Sequence, residues 1–254
     1  MNRIFIDIGN SRIKFAVSEN GRYEYLGAEL NADFLSKIDE LLLSRFDHIE
    51  EVYYSSVASL DVVEELKGSI QDAWQLIPIE LSAQKRFCGL ESGYTQFYQL
   101  GSDRWMAMQG GLSMTQAPFI VIDAGTALTV DAVVDGVHKG GFIVPGLQMM
   151  RQSLVKDTAK LFCAPQEELI DSDAVNLLAK ETSGAILAGT LYMSAAFINH
   201  LISDLNHQIG TEFKVFLTGG DSVQLASLLD YQFAYVPDLV LLGMQRIVES
   251  VKNR

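Results

Sequence analysis

The stretch Ile120-Val121-Ile122-Asp123-Ala124-Gly125-Thr126-Ala127-Leu128-Thr129-Val130-Asp131 decides the fold. An apolar run meets a carboxylate, gives way to a Gly-Thr turn and resumes as a second β-rich run. That is the pattern of a strand, a tight loop and another strand, with the carboxylate at the mouth of the loop. Strands buried by crossover helices read as continuous apolar runs. Asp123 must therefore sit where the strand emerges or be well hydrogen-bonded, because an unpaired buried carboxylate is costly. Gly125 lets backbone N–H groups approach a ligand closely. Thr126 and Thr129 add hydroxyls, so the loop offers donors to an anionic group and a carboxylate to an accompanying cation. For an isolated D-x-G-T, an Asx turn with a glycine at positive φ accounts for the same residues.

The pattern is not isolated. Ile4-Phe5-Ile6-Asp7-Ile8-Gly9-Asn10-Ser11 opens the chain on the same plan. Both copies continue into an Ala-Val pair, Ala16-Val17 and Ala132-Val133, and then into a hairpin signal, Asn20-Gly21 and Asp135-Gly136. The two aspartates are 116 residues apart and the hairpin glycines 115, so the units match to within one residue. Two similar halves follow, with boundaries expected at 1–116 and 117–254 and Pro118 at the junction. Strands separated by amphipathic helices place an α/β layer on each half.

The net charge of −13 argues against nucleic acid as a partner, since such binding rests on clustered Lys and Arg. An acidic chain still binds an anionic ligand where local donors and a metal offset the charge. With 48% apolar residues and no low-complexity segment, the chain can build a substantial core. Cys88 and Cys163 match no metal spacing and read as thiols of a reducing cytosol. The apolar run before Asp7 is too short for a signal peptide, and no uncharged stretch is read as long enough to span a bilayer, so the expectation is a cytoplasmic protein without a membrane partner.

Three strands are expected over residues 3–8, 12–18 and 22–28. Arg12 and Lys14 share a face of the second, where either leans toward a phosphate at the Gly9 loop or stands on a solvated face. A helix follows over 31–46 with Asn31 as N-cap, then a strand over 51–57, a helix over 59–73 and a strand over 75–79. Residues 82–99 lack a period and carry Phe87, Tyr94, Phe97 and Tyr98. These aromatics line a small-molecule site or close a domain edge, with Tyr98 favoured for the site because it adjoins the next motif.

Leu100-Gly101-Ser102-Asp103-Arg104-Trp105 opens a helix with Ser102 as N-cap and Gly101 as hinge. Asp103 there answers the helix dipole, whereas Arg104 opposes it and needs another reason, a carboxylate partner or a ligand. Met106, Met108, Leu112 and Met114 read as core filler. Gly140-Gly141 entering a strand suggests close backbone approach, and Pro145-Gly146 closes that strand before a helix over 147–161. A small-residue helix runs from Glu181 to about Asn206. Its Ala185, Gly189, Ala195 and Ala196 would admit a second helix at a subunit or domain interface, and His200 and His207 read as surface or interface residues. Residues 213–222 are strand, Gly219-Gly220 turn and helix start, with Asp221 as a cap. A strand over 232–236 and a helix over 238–251 end the chain.

Together these residues resemble the type III pantothenate kinases, of the actin, hexokinase and Hsp70-like ATPase superfamily. The resemblance covers nearly the whole chain: Asp7-Ile-Gly-Asn-Ser with Lys14, Gly101-Ser-Asp-Arg104, Asp123-Ala-Gly-Thr-Ala-Leu-Thr129, Gly140-Gly-Phe-Ile-Val-Pro-Gly146 and Leu217-Thr-Gly-Gly220. The Asp-x-Gly loops alone mark the superfamily; G-x-D-R between them and G-G-x-I-x-P-G after them are narrower. Ser11 stands where many members have Thr, and Phe15-Ala16 follows Lys14 where a glycine is frequent nearby.

The resemblance implies an α/β fold of two ribonuclease H-like domains with ATP in the cleft between them, acting as a homodimer. It implies transfer of the ATP γ-phosphoryl to pantothenate, giving 4'-phosphopantothenate, the first step toward coenzyme A. On motif position Asp103 is the general base, and Gly101, Ser102, Asp103 and Arg104 bind pantothenate with Tyr98 beside them. Asp7, Ile8, Gly9, Asn10, Ser11, Arg12, Ile13 and Lys14 hold the β- and γ-phosphates, and Thr126 touches ATP. Asp123 binds a monovalent cation, K+ or NH4+, Mg2+ accompanies ATP, and Thr182 touches pantothenate near the dimer interface. The chain lacks G-x-x-x-x-G-K-[ST] and G-x-G-x-x-G, which removes P-loop and dinucleotide-binding readings. A sugar or acetate-type kinase would keep both loops without Gly101 to Arg104. A non-enzymatic regulatory relative is the other alternative, against which an intact Asp103 stands.

Overall fold

The computed structural model describes residues 2–46, 48–156 and 178–252. The chain forms two compact units. In the first, β1 (Asn2–Ile8), β2 (Arg12–Glu19), β3 (Arg22–Leu30), β4 (Glu51–Ser56) and β5 (Ile79–Glu80) make a sheet of order β3-β2-β1-β4-β5. Alternation along β1 sends Ile4, Ile6 and Ile8 to one face, where they join Ile13, Phe15 and Val17 of β2. Against them pack Phe34 and Ile38 of α1 (Asn31–Ile38) and Val63, Leu66 and Ile70 of α2 (Leu60–Trp74). The other face is covered by α7 (Leu239–Lys252), which packs on β1, β2 and α3 (Ser102–Met114). The turn between β2 and β3 holds Asn20 at φ 51° and Gly21 at φ 82°, the left-handed pair that the strand twist demands of a two-residue hairpin.

Several local expectations give way. Leu30 rather than Asn31 caps α1, which passes after Ile38 into a π-helical turn over Asp39–Leu43 instead of reaching Phe46. Gln75 lies in the left-handed region and ends α2, which delays the next strand to Ile79. Residues 82–99 hold a small hairpin, β6 (Arg86–Phe87) and β7 (Leu90–Glu91), and a 3-10 turn over Phe97–Gln99. Met114 ends α3 at 47% exposure, so it is not core.

The second unit contains β8 (Phe119–Ala124), the first part of β9 (Ala127–Val134), the last part of β10 (Val137–Pro145), β11 (Lys214–Thr218) and β12 (Phe233–Tyr235). There β12, β11 and β8 are successive parallel neighbours. With them are α4 (Leu147–Lys156), α5 (Thr182–Ile209) and the short α6 (Ser222–Ala226). The expected extension of α4 to Leu161, and Cys163, lie outside the described residues.

The units differ from halves at 1–116 and 117–254. The break falls after Ala117, but Asp131–Gly140 and Asp238–Arg254 belong to the first unit. There the hairpin tip sets Val137 opposite Glu91, and Tyr23 donates a 2.8 Å bond to Asp238 at the entry to α7. Chain order alone does not register such returning segments.

The expectation that no stretch is long and uncharged enough to span a bilayer is also overturned. The 28-residue α5 contains an 18-residue window of mean hydropathy 1.5, of which 33% is buried. Its apolar character has two sides. Ile186, Ala195, Ile198 and Ile202 are buried in the unit, while Tyr192 and Met193 stand exposed. Ala195 therefore belongs to the inward face, not the exposed one.

Candidate active site

Register fixes the first loop. Asp7 lies opposite Lys14 on β2 and opposite Ser55 on β4, so one row across three strands carries an ammonium, a carboxylate and a hydroxyl. Asp7 is 7% exposed at the strand end. Ser55 is fully buried and its hydroxyl has no partner. Ile8 and Ile13 belong to the core, so they can meet a ligand only through their backbone. Between them Gly9 N–H donates to Arg12 O at 3.0 Å, while Asn10, Ser11 and Arg12 are exposed.

Asn31, expected to cap a helix, braces this loop. Its Nδ2 donates to Gly9 O at 3.0 Å and Asn10 O at 3.3 Å, and its backbone N–H to Ser11 O at 3.1 Å. In a trans peptide the N–H points opposite to the C=O. Turning the Gly9 and Asn10 carbonyls toward Asn31 therefore directs the Asn10 and Ser11 N–H groups away from it, the orientation an anion-binding loop requires.

At the start of α3, Gly101 and not Ser102 is the capping residue; the Ser102 hydroxyl donates to Ser56 O at 2.9 Å and ties the helix to the end of β4. Asp103 is partly buried, with Oδ1 accepting from Arg104 N–H at 2.7 Å. Burial pushes its carboxyl above the ordinary aspartate value, the Asp131 charge adds to that, and the Arg104 N–H and guanidinium oppose it. A Cβ on Gly101 would stand 2.5 Å from Asp103 Oδ1, so glycine leaves the space the carboxylate occupies.

Arg104 is 5% exposed and already has a carboxylate partner. Its Nε donates to Asp131 Oδ2 at 2.8 Å, its Nη2 to Oδ1 at 2.6 Å and its Nη1 to Tyr94 Oη at 2.9 Å. Asp131 also meets His138 Nε2 at 2.8 Å, and the His138 ring stacks on Tyr94. Despite burial, the hydrogen bonds from His138 and Arg104 hold the Asp131 carboxyl below the usual range. Reading the residues singly missed Asp131 and His138 and left Tyr94 unfavoured among the aromatics of 82–99. A signal existed: a carboxylate inside the apolar run Val130-Asp131-Ala132 and an arginine opposing a helix dipole each need a partner. Tyr98, favoured over Tyr94, stands 68% exposed outside this group.

In the second unit Asp123 lies at the end of β8 opposite Thr218 of β11, so here too a hydroxyl residue flanks the aspartate. Its Oδ1 is where a Cβ on Gly219 would come to 2.5 Å, and Gly219 has φ 97°. Close approach involves Gly146: a Cβ there would meet Gly125 O at 2.2 Å, and Gly146 N–H donates to Thr126 O. At Gly140 a Cβ would meet nothing, and the residue is needed for its φ of 118°. Asp221 precedes α6 without a side-chain capping bond. Thr126 and Thr182 are exposed, Thr182 as the first residue of α5 after its cap Glu181. No cluster of three or more His, Cys, Asp or Glu side chains suited to a metal occurs among the described residues.

A duplicated strand, Asp-x-Gly loop and strand on α/β units defines an actin-like ATPase fold. MreB 5 of Spiroplasma citri, solved bound to AMPPNP, is similar to this chain at TM-score 0.53 and 11% identity, over 99% of this chain and 97% of that one. A conserved protein of Campylobacter jejuni, described as a Baf family transcriptional activator, reaches 0.60 at 24% identity, covering 99% and 100%. Within that class the family is specific. Residues 3–204 match the type III pantothenate kinase family model, and a type III pantothenate kinase of Hydrogenovibrio crunogenus is 43% identical over 98% of this chain and 99% of its own. The chain belongs to the type III pantothenate kinase family.

Proposed function

We propose that the chain transfers the γ-phosphoryl group of ATP to the primary hydroxyl of pantothenate, the first step of coenzyme A synthesis, with Asp103 as general base. The observation that carries this is the Asp103 carboxylate itself. It stands in the first turn of α3, made more basic by burial, with a glycine keeping space beside Oδ1. A primary alcohol is a poor nucleophile, and a positioned carboxylate that takes its proton contributes about 10²- to 10⁴-fold in rate. Phosphoryl transfer passes through a loose transition state, so the remaining task is positioning and charge neutralisation.

The first unit supplies Asp7, Lys14 and the outward N–H groups of Asn10 and Ser11 to the β- and γ-phosphates. Ile8, Gly9, Arg12 and Ile13 shape that loop. Ser102, Arg104 and Tyr98 take the pantothenate side. By motif position Thr126 serves ATP, Asp123 a monovalent cation and Thr182 pantothenate. Bound cations, Mg2+ with the phosphates and K+ or NH4+ at Asp123, supply positive charge to a chain of net charge −13.

We read the exposed face of α5 as a homodimer contact. Ala185, Gly189, Tyr192, Met193 and Ala196 leave a surface of small and apolar residues, beside Phe142 stacked edge-on against Phe197. Contiguous exposed apolar surface of this kind marks an interaction site. The decisive experiment is a coupled ADP-release assay with pantothenate, with sugars and acetate as controls. Pantothenate-dependent release alone is expected; release with a sugar or acetate and none with pantothenate overturns the reading.

A further inference from the structure

The four side chains behind the catalytic helix form a closed ring of contacts. Arg104 bonds Asp131 through two nitrogens, Asp131 bonds His138, His138 stacks on Tyr94 at 5.7 Å between centroids, and Tyr94 Oη accepts from Arg104. Asp131 and His138 are each 1% exposed. A buried ion pair of this kind adds little to stability over an apolar replacement of the same shape, so its value lies in geometry.

Protonation follows from the partners. An ionised carboxylate only accepts, so His138 must carry its proton on Nε2. Its Nδ1 is buried with no partner, which suits a lone pair far better than a second N–H. Arg104 and Asp131 balance each other in charge. What His138 adds is a third bond to the Asp131 carboxylate, fixing the plane against which the Arg104 fork lies. Of the five guanidinium N–H groups, two go to Asp131 and one to Tyr94. The remaining two, one on each terminal nitrogen, have directions set by this ring.

We propose that Asp131 and His138 are positioning residues of the phosphoryl-acceptor site: through the carboxylate plane they aim the Arg104 guanidinium at the acidic substrate. The proposal rests on the kinase reading above and on Arg104 serving the pantothenate side.

The test uses the full chain with His138→Phe, which keeps the stack on Tyr94 and removes the donor, and His138→Gln, which returns a donor at similar reach. His138→Phe is expected to raise the pantothenate KM about tenfold, one hydrogen bond's worth of aim, with the ATP KM within about twofold. His138→Gln is expected to restore most of the loss. Thermal melts accompany both, and if His138→Phe does not fold, Tyr94→Phe, which removes only a hydroxyl, should show the same split. Unchanged constants in a folded variant, a parallel rise of both KM values, or no rescue by Gln overturns the proposal. Wild-type protein without pantothenate-dependent ADP release removes the kinase reading itself, an outcome distinct from an active wild type with indifferent variants.

Discussion

Gly101→Ala isolates the placement of Asp103, the proposed general base, from its chemistry. The backbone at 101 has φ −53°, so alanine introduces no strain, and glycine makes no side-chain capping bond to lose. The added methyl would lie 2.5 Å from Asp103 Oδ1, where an ordinary contact needs about 3.4 Å. The obstacle is a side-chain terminus, which yields by swinging rather than by moving backbone. Asp103 is thus displaced by about 0.9 Å while the fold stays intact. A misplacement of about 1 Å costs roughly 10²-fold, equivalent to about 2.7 kcal/mol of barrier. Steady-state ADP release should show kcat falling by about that factor with the ATP KM unchanged and the melting temperature near wild type. A well-folded Gly101→Ala enzyme with wild-type kcat would refute the placement argument, because the base would then tolerate a group in its space.

Three further outcomes follow from the same geometry. Asp103→Asn should lose about 10²- to 10⁴-fold in kcat while gaining stability at neutral pH. The raised carboxyl means the folded state binds more protons than the unfolded state above the ordinary aspartate pKa, so wild-type stability falls as pH rises through that window and stays lower beyond it. Melts against pH should therefore show the variant's advantage vanish below about pH 4; an advantage that persists there would contradict the assignment. Replacing K+ by Na+ should slow turnover sharply and leave circular dichroism unchanged, and equal rates in the two salts would remove Asp123 from cation binding. Gly189→Trp should fold, since a Cβ there meets nothing within 4 Å, yet shift a micromolar dimer toward monomer in sedimentation; an unshifted dimer places the interface elsewhere.

The sequence carried the strand plan and both Asp-x-Gly loops because period-2 runs and hairpin glycines are local signals. Asn20-Gly21 and Asp135-Gly136 both adopt the left-handed turn their residues require. Local signals failed where a side chain had two possible employers. Asn31 and Ser102 are both good helix caps by type, yet each spends its side chain on a distant carbonyl, Asn31 on the Gly9 loop and Ser102 on Ser56. The composition of α5 hid its two-sidedness, since an apolar face turned inward and one turned outward look alike in a sequence. Nothing local tells that the hairpin tip at 131–140 belongs with the first unit, because that follows from pairs such as Arg104 with Asp131, 27 residues apart.

Those pairs also explain how an arginine can adjoin a catalytic base without disabling it. A full positive charge beside Asp103 would favour its ionised form and leave a weak base. Burial is the largest influence on Asp103 and outweighs the Arg104 charge, which Asp131, bound to Arg104 through two hydrogen bonds, offsets in part. The two carboxylates are thus driven apart: Asp131, hydrogen-bonded on both oxygens, becomes the stronger acid, while Asp103, desolvated and with only backbone N–H donors, becomes the stronger base. Environments that separate two nearby carboxyl groups in this way divide their roles. Under the proposed function, Asp131 stays charged and holds Arg104, and Asp103 accepts the proton of the attacking hydroxyl.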